Sequence, residues 1–310
     1  MHVESTAVGR LRGLELTASQ FFGVALATLG ALWLIVATGA AVRLTESGLG
    51  CRHWPGCEAG HPLPAKSVHA YIEFGNRLVG GVTILLTLGA LVAAWRTPAL
   101  PRWAKRLAAA IFVGTLAQAP LGYLAVKTDL RWPVVMAHLL LSMLLLAGAV
   151  VLALEAYGLV RGHGAPAVPA ELRHAGLALA PLCLALLASG AFATAAGPHS
   201  GGGAEHVSRF GKLDSSVYVH AGFVAAFGCT FLLALGYLAA RRDLAPRLFR
   251  FALLVLALLL AQVALGEIQY RTHLPWGLVL VHVAVAATVW AGVVALVVLL
   301  RRPPIPFARA

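Results

Sequence analysis

Charge is what this sequence has least of. Only 12% of its 310 residues are charged, against 60% hydrophobic, where a soluble domain is usually about a quarter charged. No polar segment between the apolar stretches is long enough to fold as a separate soluble domain. The first apolar stretch has no small-residue cleavage site after it, so it reads as a retained helix and not as a signal peptide. Acidic residues are scarcer still, 12 against 24 basic, yet the basic excess forms no patch fit for a nucleic acid. Most of it falls at one end of the apolar stretches: Arg10 and Arg12, Arg96 to Arg106, Arg161 and Arg173, Arg241 to Arg250, and Arg301 to Arg309. At the other end basic residues are offset by Glu46, Glu58, Glu73, Asp129, Glu205, Asp214 and Glu267. This bias is topological. It excludes a nucleic-acid partner and puts both termini in the cytoplasm.

What the chain does have is hydrophobic length. A spanning helix needs ~20 predominantly apolar residues. Stretches 20–43, 70–95, 106–126, 133–158, 174–195, 214–240, 249–270 and 277–300 qualify. The expectation is an all-α integral protein of a cell membrane, crossing the lipid eight times.

The second half echoes the first 144 residues on. Gln118-Ala-Pro-Leu121-Gly122 aligns with Gln262-Val-Ala-Leu265-Gly266, Trp132 with Trp276, His138 with His282, and Asn76 with His220. Helices 1 and 5 correspond at a slightly different offset, ending Gly39-Ala-Ala-Val-Arg43 and Gly190-Ala-Phe-Ala-Thr194. An even number of helices per copy keeps both copies in one orientation, so the predicted symmetry is a pseudo-two-fold axis along the membrane normal. The predicted units are two tandem four-helix bundles, 1–158 and 159–310, a shape that holds cofactors between facing helices.

Few of the 12 histidines lie inside apolar helices. His138, His220 and His282 each fall about six residues into helices 4, 6 and 8, which places the imidazoles roughly 9 Å below the outer helix ends. Polar groups at that depth are costly and rarely idle, although a single histidine could simply bond a neighbouring helix. Two imidazoles on facing helices suit heme iron. His220 and His282 therefore predict a bis-histidine heme site in the second unit. No cysteine or carboxylate lies at that depth to make a zinc site. In the first unit His138 faces Asn76, a poor iron ligand. His69, Glu73 and Asn76 form one helical stripe. A Glu beside a single His reads as a reactive site; the competing reading pairs Glu73 with Arg77 or Lys66 at the interface. Cys51 and Cys57 bracket a short outer loop and predict a disulfide in an oxidising compartment, with a metal site using His53 or His61 as the rival. Cys183 and Cys229 read as core residues, and His199, His206 and His273 as solvated loop residues.

At these residues the chain resembles the heme A synthase family. The resemblance rests on Val42-Arg43-Leu-Thr45-Glu-Ser47-Gly48-Leu49 leading into Cys51, on Trp54-Pro55-Gly-Cys57, on Ile72-Glu73-Phe-Gly-Asn76-Arg77, on Gly197-Pro198-His199-Ser-Gly201, and on the three helix histidines. It implies a resident heme b held by His220 and His282, and a first unit that oxidises the C8 methyl of heme O to a formyl group. Glu73 and His138 take the family's catalytic positions. Asn76 stands where the familiar pattern has a second histidine, a variant similar to actinobacterial-type members, which leaves either His138 alone or His69 to complete ligation. Arg43 and Arg77 are candidates for the substrate propionates. The resemblance also implies cytochrome oxidase assembly as the setting and a heme O synthase as a supplier. It leaves the electron acceptor open and is compatible with a homo-oligomer. The rival classes are a b-type cytochrome subunit for electron transfer and a heme chaperone or transporter.

Overall fold

A computed structural model describes residues 15–309 apart from 55, 59, 62, 65 and 203–206. Arg10, Arg12, Pro55, Gly203, Glu205 and His206 therefore lie outside the described residues. Eight helices are long and apolar enough to cross a membrane: α1 Ala18–Leu44, α2 Val68–Trp95, α3 Arg102–Lys127, α4 Trp132–Arg161, α5 Ala170–Ala196, α6 Leu213–Ala239, α7 Pro246–Arg271 and α8 Trp276–Arg301. Among the described residues no strand pairs into a sheet; two isolated bridges are the only β contacts. The chain is a multi-pass membrane protein.

The helices outrun the apolar stretches that predict them. Arg102, Lys105 and Arg106 are in the first turns of α3, and Arg161, Arg173, Arg250 and Arg301 also lie within helices. Hydrocarbon thickness limits the apolar stretch, not the helix, whose long basic side chains reach out to the interface. Helix α5 is broken at Ala178 into Ala170–Leu177 and Leu179–Ala196. Caps are sparse but well placed: Thr17 and Gln20 make a capping box at α1, and Ser67 caps α2 through Ala70 N.

Helices α1 to α4 close a ring in which α1 packs on α2 and α4, and α3 on both α2 and α4. In the second half α5 packs on α6 and α7 on α8, with a lighter α6–α7 contact. The halves meet where α8 lies against α1 and α4, and α5 against α4. Half of the apolar window of α8 is buried, against 17% in α3 and α7, so α8 is the central helix and those two face lipid. Indole donors cross the seam: Trp290 Nε1 to Met143 O at 2.7 Å and Trp33 Nε1 to Thr288 Oγ1 at 3.0 Å. Cys183 is buried as expected. Cys229 is exposed on α6, because a peripheral helix presents small apolar residues to lipid as readily as to protein.

The 144-residue echo extends to the backbone. Asp129 and Leu130 both have positive φ, and so do His273 and Leu274. In each pair the leucine N–H returns to a helix carbonyl, Leu130 to Ala125 and Leu274 to Gln269. This left-handed pair reverses the chain into α4 and again into α8. At the opposite end, Leu16 N bonds Arg96 O and Ile305 N bonds Gly162 O, so both described ends of the chain lie on the same side of the bundle.

Candidate functional site

The histidines of α4, α6 and α8 are half-buried, six or seven residues into their helices. Each ring lies against a glycine of a neighbouring helix. A Cβ on Gly122 would meet His138 Cε1 at 3.7 Å, one on Gly190 would meet His220 Cε1 at 3.1 Å, and one on Gly266 would meet His282 Cε1 at 3.3 Å. Glycine at these three positions makes room for a ring that a larger residue would crowd. Gln118 Nε2 donates to His138 O at 3.1 Å, and Gln262 Nε2 to His282 O at 2.9 Å. The Gln-to-His spacing of the sequence is therefore a physical contact made twice. Nδ1 of His138 and of His282 is buried with no hydrogen-bond partner. A buried polar atom without a partner is costly, and such atoms mark places where a ligand group can bind.

His220 is set differently. Its Nδ1 lies 2.9 Å from Ser189 Oγ, and that hydroxyl donates to Leu186 O at 2.7 Å. The single hydroxyl proton is spent on the carbonyl, so Ser189 must accept from Nδ1–H. That fixes the tautomer with a bare Nε2, the form that ligates a metal. Helix α6, carrying His220, and α8, carrying His282, are not packed on one another among the described residues. Two imidazoles across an open diagonal, one with its tautomer fixed, fit a flat macrocycle with axial nitrogen ligands.

In the first half the same diagonal separates α2 from α4. His138 stands on α4. The facing residue is Asn76, and Thr38 Oγ1 lies 2.7 Å from its Oδ1 and 3.3 Å from Ile35 O. At the helix 1-to-5 offset Thr38 is the counterpart of Ser189, and Ile35 of Leu186. The hydroxyl that orients His220 thus has a twin that holds Asn76. Sequence reading missed this pair, although both hydroxyls directly precede the glycines, Gly39 and Gly190, that mark the two helix ends.

The His69, Glu73, Asn76 stripe faces α1 and the loop after it. His69 Nδ1 lies 3.0 Å from Ser47 Oγ. Glu73 is buried, its Oε2 accepting from Cys51 N at 2.7 Å and its Oε1 from Arg77 at 2.5 Å. The pairing of Glu73 with Arg77 is real, and it belongs to a larger clamp. Arg77 also donates to His53 O at 2.7 Å, to Gly56 O at 2.5 Å and to Cys51 O at 2.8 Å. The loop it grips is closed by the Cys51–Cys57 disulfide, which leaves neither thiol for the rival metal site. Gly50 lets this loop lie on α2, since a Cβ there would sit 2.6 Å from His69 O. The disulfide-closed loop, Arg77 and Glu73 are joined in one hydrogen-bonded lid over the N-terminal end of α2.

Arg43 donates to His199 O at 3.1 Å and Thr194 O at 3.0 Å. Glu46 accepts from Gly201 N at 2.8 Å and Ser200 Oγ at 3.0 Å. His199 is not a free loop residue: its Nε2 lies 2.8 Å from Leu274 O and its Nδ1 3.8 Å from Glu46. These contacts latch the end of α1 and the loop after it to the end of α5 and the loop after it, a role that short-range pattern cannot reveal because the partners are 151 to 156 residues apart. His273 is exposed. It lines, with Arg209, Asp214 and Tyr270, a cavity of about 710 Å³ in the second half, between the end of α5, the start of α6 and the end of α7. Among the described residues no three histidine, cysteine or carboxylate groups converge as a metal cage.

Comparison with known proteins identifies similar chains. Residues 23–294 match the COX15-CtaA family, described as cytochrome oxidase assembly protein. A heme A synthase of Shewanella oneidensis is 29% identical over 296 residues, covering 80% of this chain and 87% of that protein. A heme A synthase of Bacillus licheniformis is 32% identical over 133 residues, a match spanning 43% of this chain and 44% of that protein. A protoheme IX farnesyltransferase of Halobacterium salinarum is 34% identical over 86 residues, 28% of this chain and 18% of that one.

Proposed function

The chain belongs to the COX15-CtaA family of cytochrome oxidase assembly proteins, and from that membership we propose that it is a heme A synthase, an oxidoreductase that converts the C8 methyl of heme O to a formyl group. The observation that carries the reading is the paired histidine chemistry on two equivalent diagonals, complete in one half and altered in the other. Relatives bearing the same activity name cover both halves. The arginine-rich end is assigned to the cytoplasm of a cell-membrane protein, and the units to 1–158 and 159–310.

His220 and His282 are the residues that would hold heme b. Bound there, heme b supplies a one-electron redox centre. Ser189 keeps Nε2 of His220 free of its proton, and Gly190 and Gly266 give the two rings room. In the first half His138 would take the iron of the substrate. Methyl to formyl with water as oxygen source releases four electrons and four protons, so positive charge builds on the methyl carbon as electrons leave. Glu73 is the carboxylate available to meet it. Cys51 N–H and Arg77 hold it at a fixed place, and a preorganised charge costs no reorganisation during reaction. Cys51 N–H, Arg77 and the Gly50 backbone engage it, fewer than the roughly four lone-pair sites of a carboxylate, which leaves capacity to accept a proton from an attacking water. Arg43 and Arg77 remain candidates for the propionates, with their present carbonyl bonds as the contacts they would share or exchange. The farnesyltransferase that carries a similar segment supports supply of heme O by a neighbouring prenyl-transfer enzyme.

The test is the heme extracted from cells that co-express this chain with a heme O synthase in a host making no heme A. Heme A in the extract supports the reading. Heme B and heme O alone, from a folded and heme-loaded protein, would reject it in favour of an electron-transfer cytochrome or heme chaperone.

A further inference from the structure

In the second half, the imidazole of His220 uses its two nitrogens for two purposes. Nδ1 meets Ser189 Oγ at 2.9 Å, and Nε2 is left for iron. In the first half Asn76 keeps only the first of these. Its Oδ1 meets Thr38 Oγ1 at 2.7 Å. The amide ends one bond short of where Nε2 would be, and no atom of asparagine replaces that nitrogen. The space beside it is open as well. A Cβ on Gly190 would meet the His220 ring at 3.1 Å, whereas a Cβ on Gly39, its counterpart, would meet nothing within 4 Å. His69 does not fill the gap. It stands two helical turns away, exposed, with Nδ1 on Ser47.

Resting on the proposed function, we propose that the substrate heme is five-coordinate on His138, and that the coordination position facing Asn76 is a binding site for a small neutral ligand of the water, dioxygen or carbon monoxide class. With the amide oxygen taken by Thr38, the amide N–H₂ is the group of Asn76 that could donate to a ligand on the iron. A residue that binds no iron but donates one hydrogen bond to an iron ligand both steadies that ligand and selects for an acceptor atom. The two halves would then differ in coordination number, six in the second and five in the first.

The probe is carbon monoxide added to the reduced, detergent-purified full chain from cells that also make heme O. Total heme is counted separately as its pyridine complex. The expected result is two hemes per chain, one low-spin and unreactive, one high-spin and saturable with carbon monoxide. Asn76→His should convert the reactive heme to a low-spin form and abolish carbon monoxide binding. Asn76→Ala should keep the binding and shift the C–O stretch, since the amide donor is gone. His138→Ala should remove the reactive heme alone, and His282→Ala the unreactive one. Two hemes that are both low-spin and unreactive in the native chain would overturn the inference and leave the proposed function standing. Carbon monoxide binding that disappears with His282→Ala but survives His138→Ala would overturn it too. Retention of no heme by the folded chain would reject the proposed function and this inference together.

Discussion

The two halves share a plan and depart from it at a few positions. At the 144-residue offset His138 answers to His282, Gly122 to Gly266 and Gln118 to Gln262, and both contacts they make, glycine against ring and glutamine to histidine carbonyl, are kept. On the facing helix Asn76 answers to His220, Glu73 to Val217 and Arg77 to Ala221. The second half has an apolar surface and two ring nitrogens, which suits a group that stays. The first half has a buried carboxylate, an arginine clamp, a disulfide-closed loop and a shorter amide. On the proposed function, the difference teaches that one scaffold would serve retention or reaction according to what stands within one helical turn of a single ligand position.

The sharpest way to break that comparison is to give the first half the neutrality of the second. Glu73→Gln keeps size and hydrogen bonding to Cys51 N but removes the charge. Heme A output in the co-expression host should fall about 100-fold or more, the scale seen when one preorganised stabilising group is removed. The low-spin heme of the second half should persist in reduced spectra. Unchanged output would show that the carboxylate serves only to anchor the disulfide loop through Arg77.

That much of the site was legible because its parts are close in sequence or repeated. The eight spans follow from apolar length alone. The three histidines and Asn76 follow from depth and from one offset. Contacts between distant segments were not legible. Ser189 and Thr38 are single hydroxyls in apolar helices, and nothing local says that they face a ligand position on the next helix. His199 looked like a solvated loop residue because its partners, Leu274 O and Glu46, are 75 and more residues away. The buried Glu155, bonded by Arg302 at 2.8 Å through both carboxylate oxygens, likewise ties α4 to the end of α8 with no local signature.

A second test separates the orienting hydroxyls. Ser189→Ala removes the acceptor that fixes His220 in its ligating tautomer. Loss of such an outer-shell partner typically costs ~10–100-fold in metal affinity, and the lower figure is expected here because His282 still ligates. Resident heme should titrate off more readily, with partial recovery in Ser189→Thr. Thr38→Ala should leave the resident heme untouched. Equal loss from both variants would mean that the hydroxyls act through helix packing and not through their imidazole or amide partners.

A smaller effect should come from the lid. Replacing both Cys51 and Cys57 by Ser opens the loop that presents Cys51 N–H to Glu73. Heme A output should drop several-fold while heme content of the second half stays constant, because the contacts of the loop's described residues, with Glu73 and Arg77 of α2 and through Trp54 with Tyr123 of α3, lie in the first half. A matching loss of resident heme would assign the disulfide to folding of the whole chain.

The smallest effects form a graded series across the four helix glycines. Each Gly→Ala change adds one Cβ, and the distance that Cβ would find to its imidazole ranks the outcomes: 3.1 Å at Gly190, 3.3 Å at Gly266, 3.7 Å at Gly122, and open space at Gly39. The first two distances require the ring to move by a few tenths of an ångström, and a ligating ring has little freedom to do so. Gly122→Ala makes an ordinary contact and should alter heme binding little. Gly39→Ala should leave heme content unchanged and raise helix stability by up to about 1 kcal/mol, the usual advantage of Ala over Gly. Heme retention during detergent dilution, measured with thermal stability for all four, reads the two effects apart. Retention falling in the order 39, 122, 266, 190 while stability stays flat or rises ties the loss to ring displacement. A drop in retention at Gly39 as large as at Gly190 would mean that the first half's helix end already carries a ring-sized group against that face, and the contrast between the halves would have to be redrawn around it.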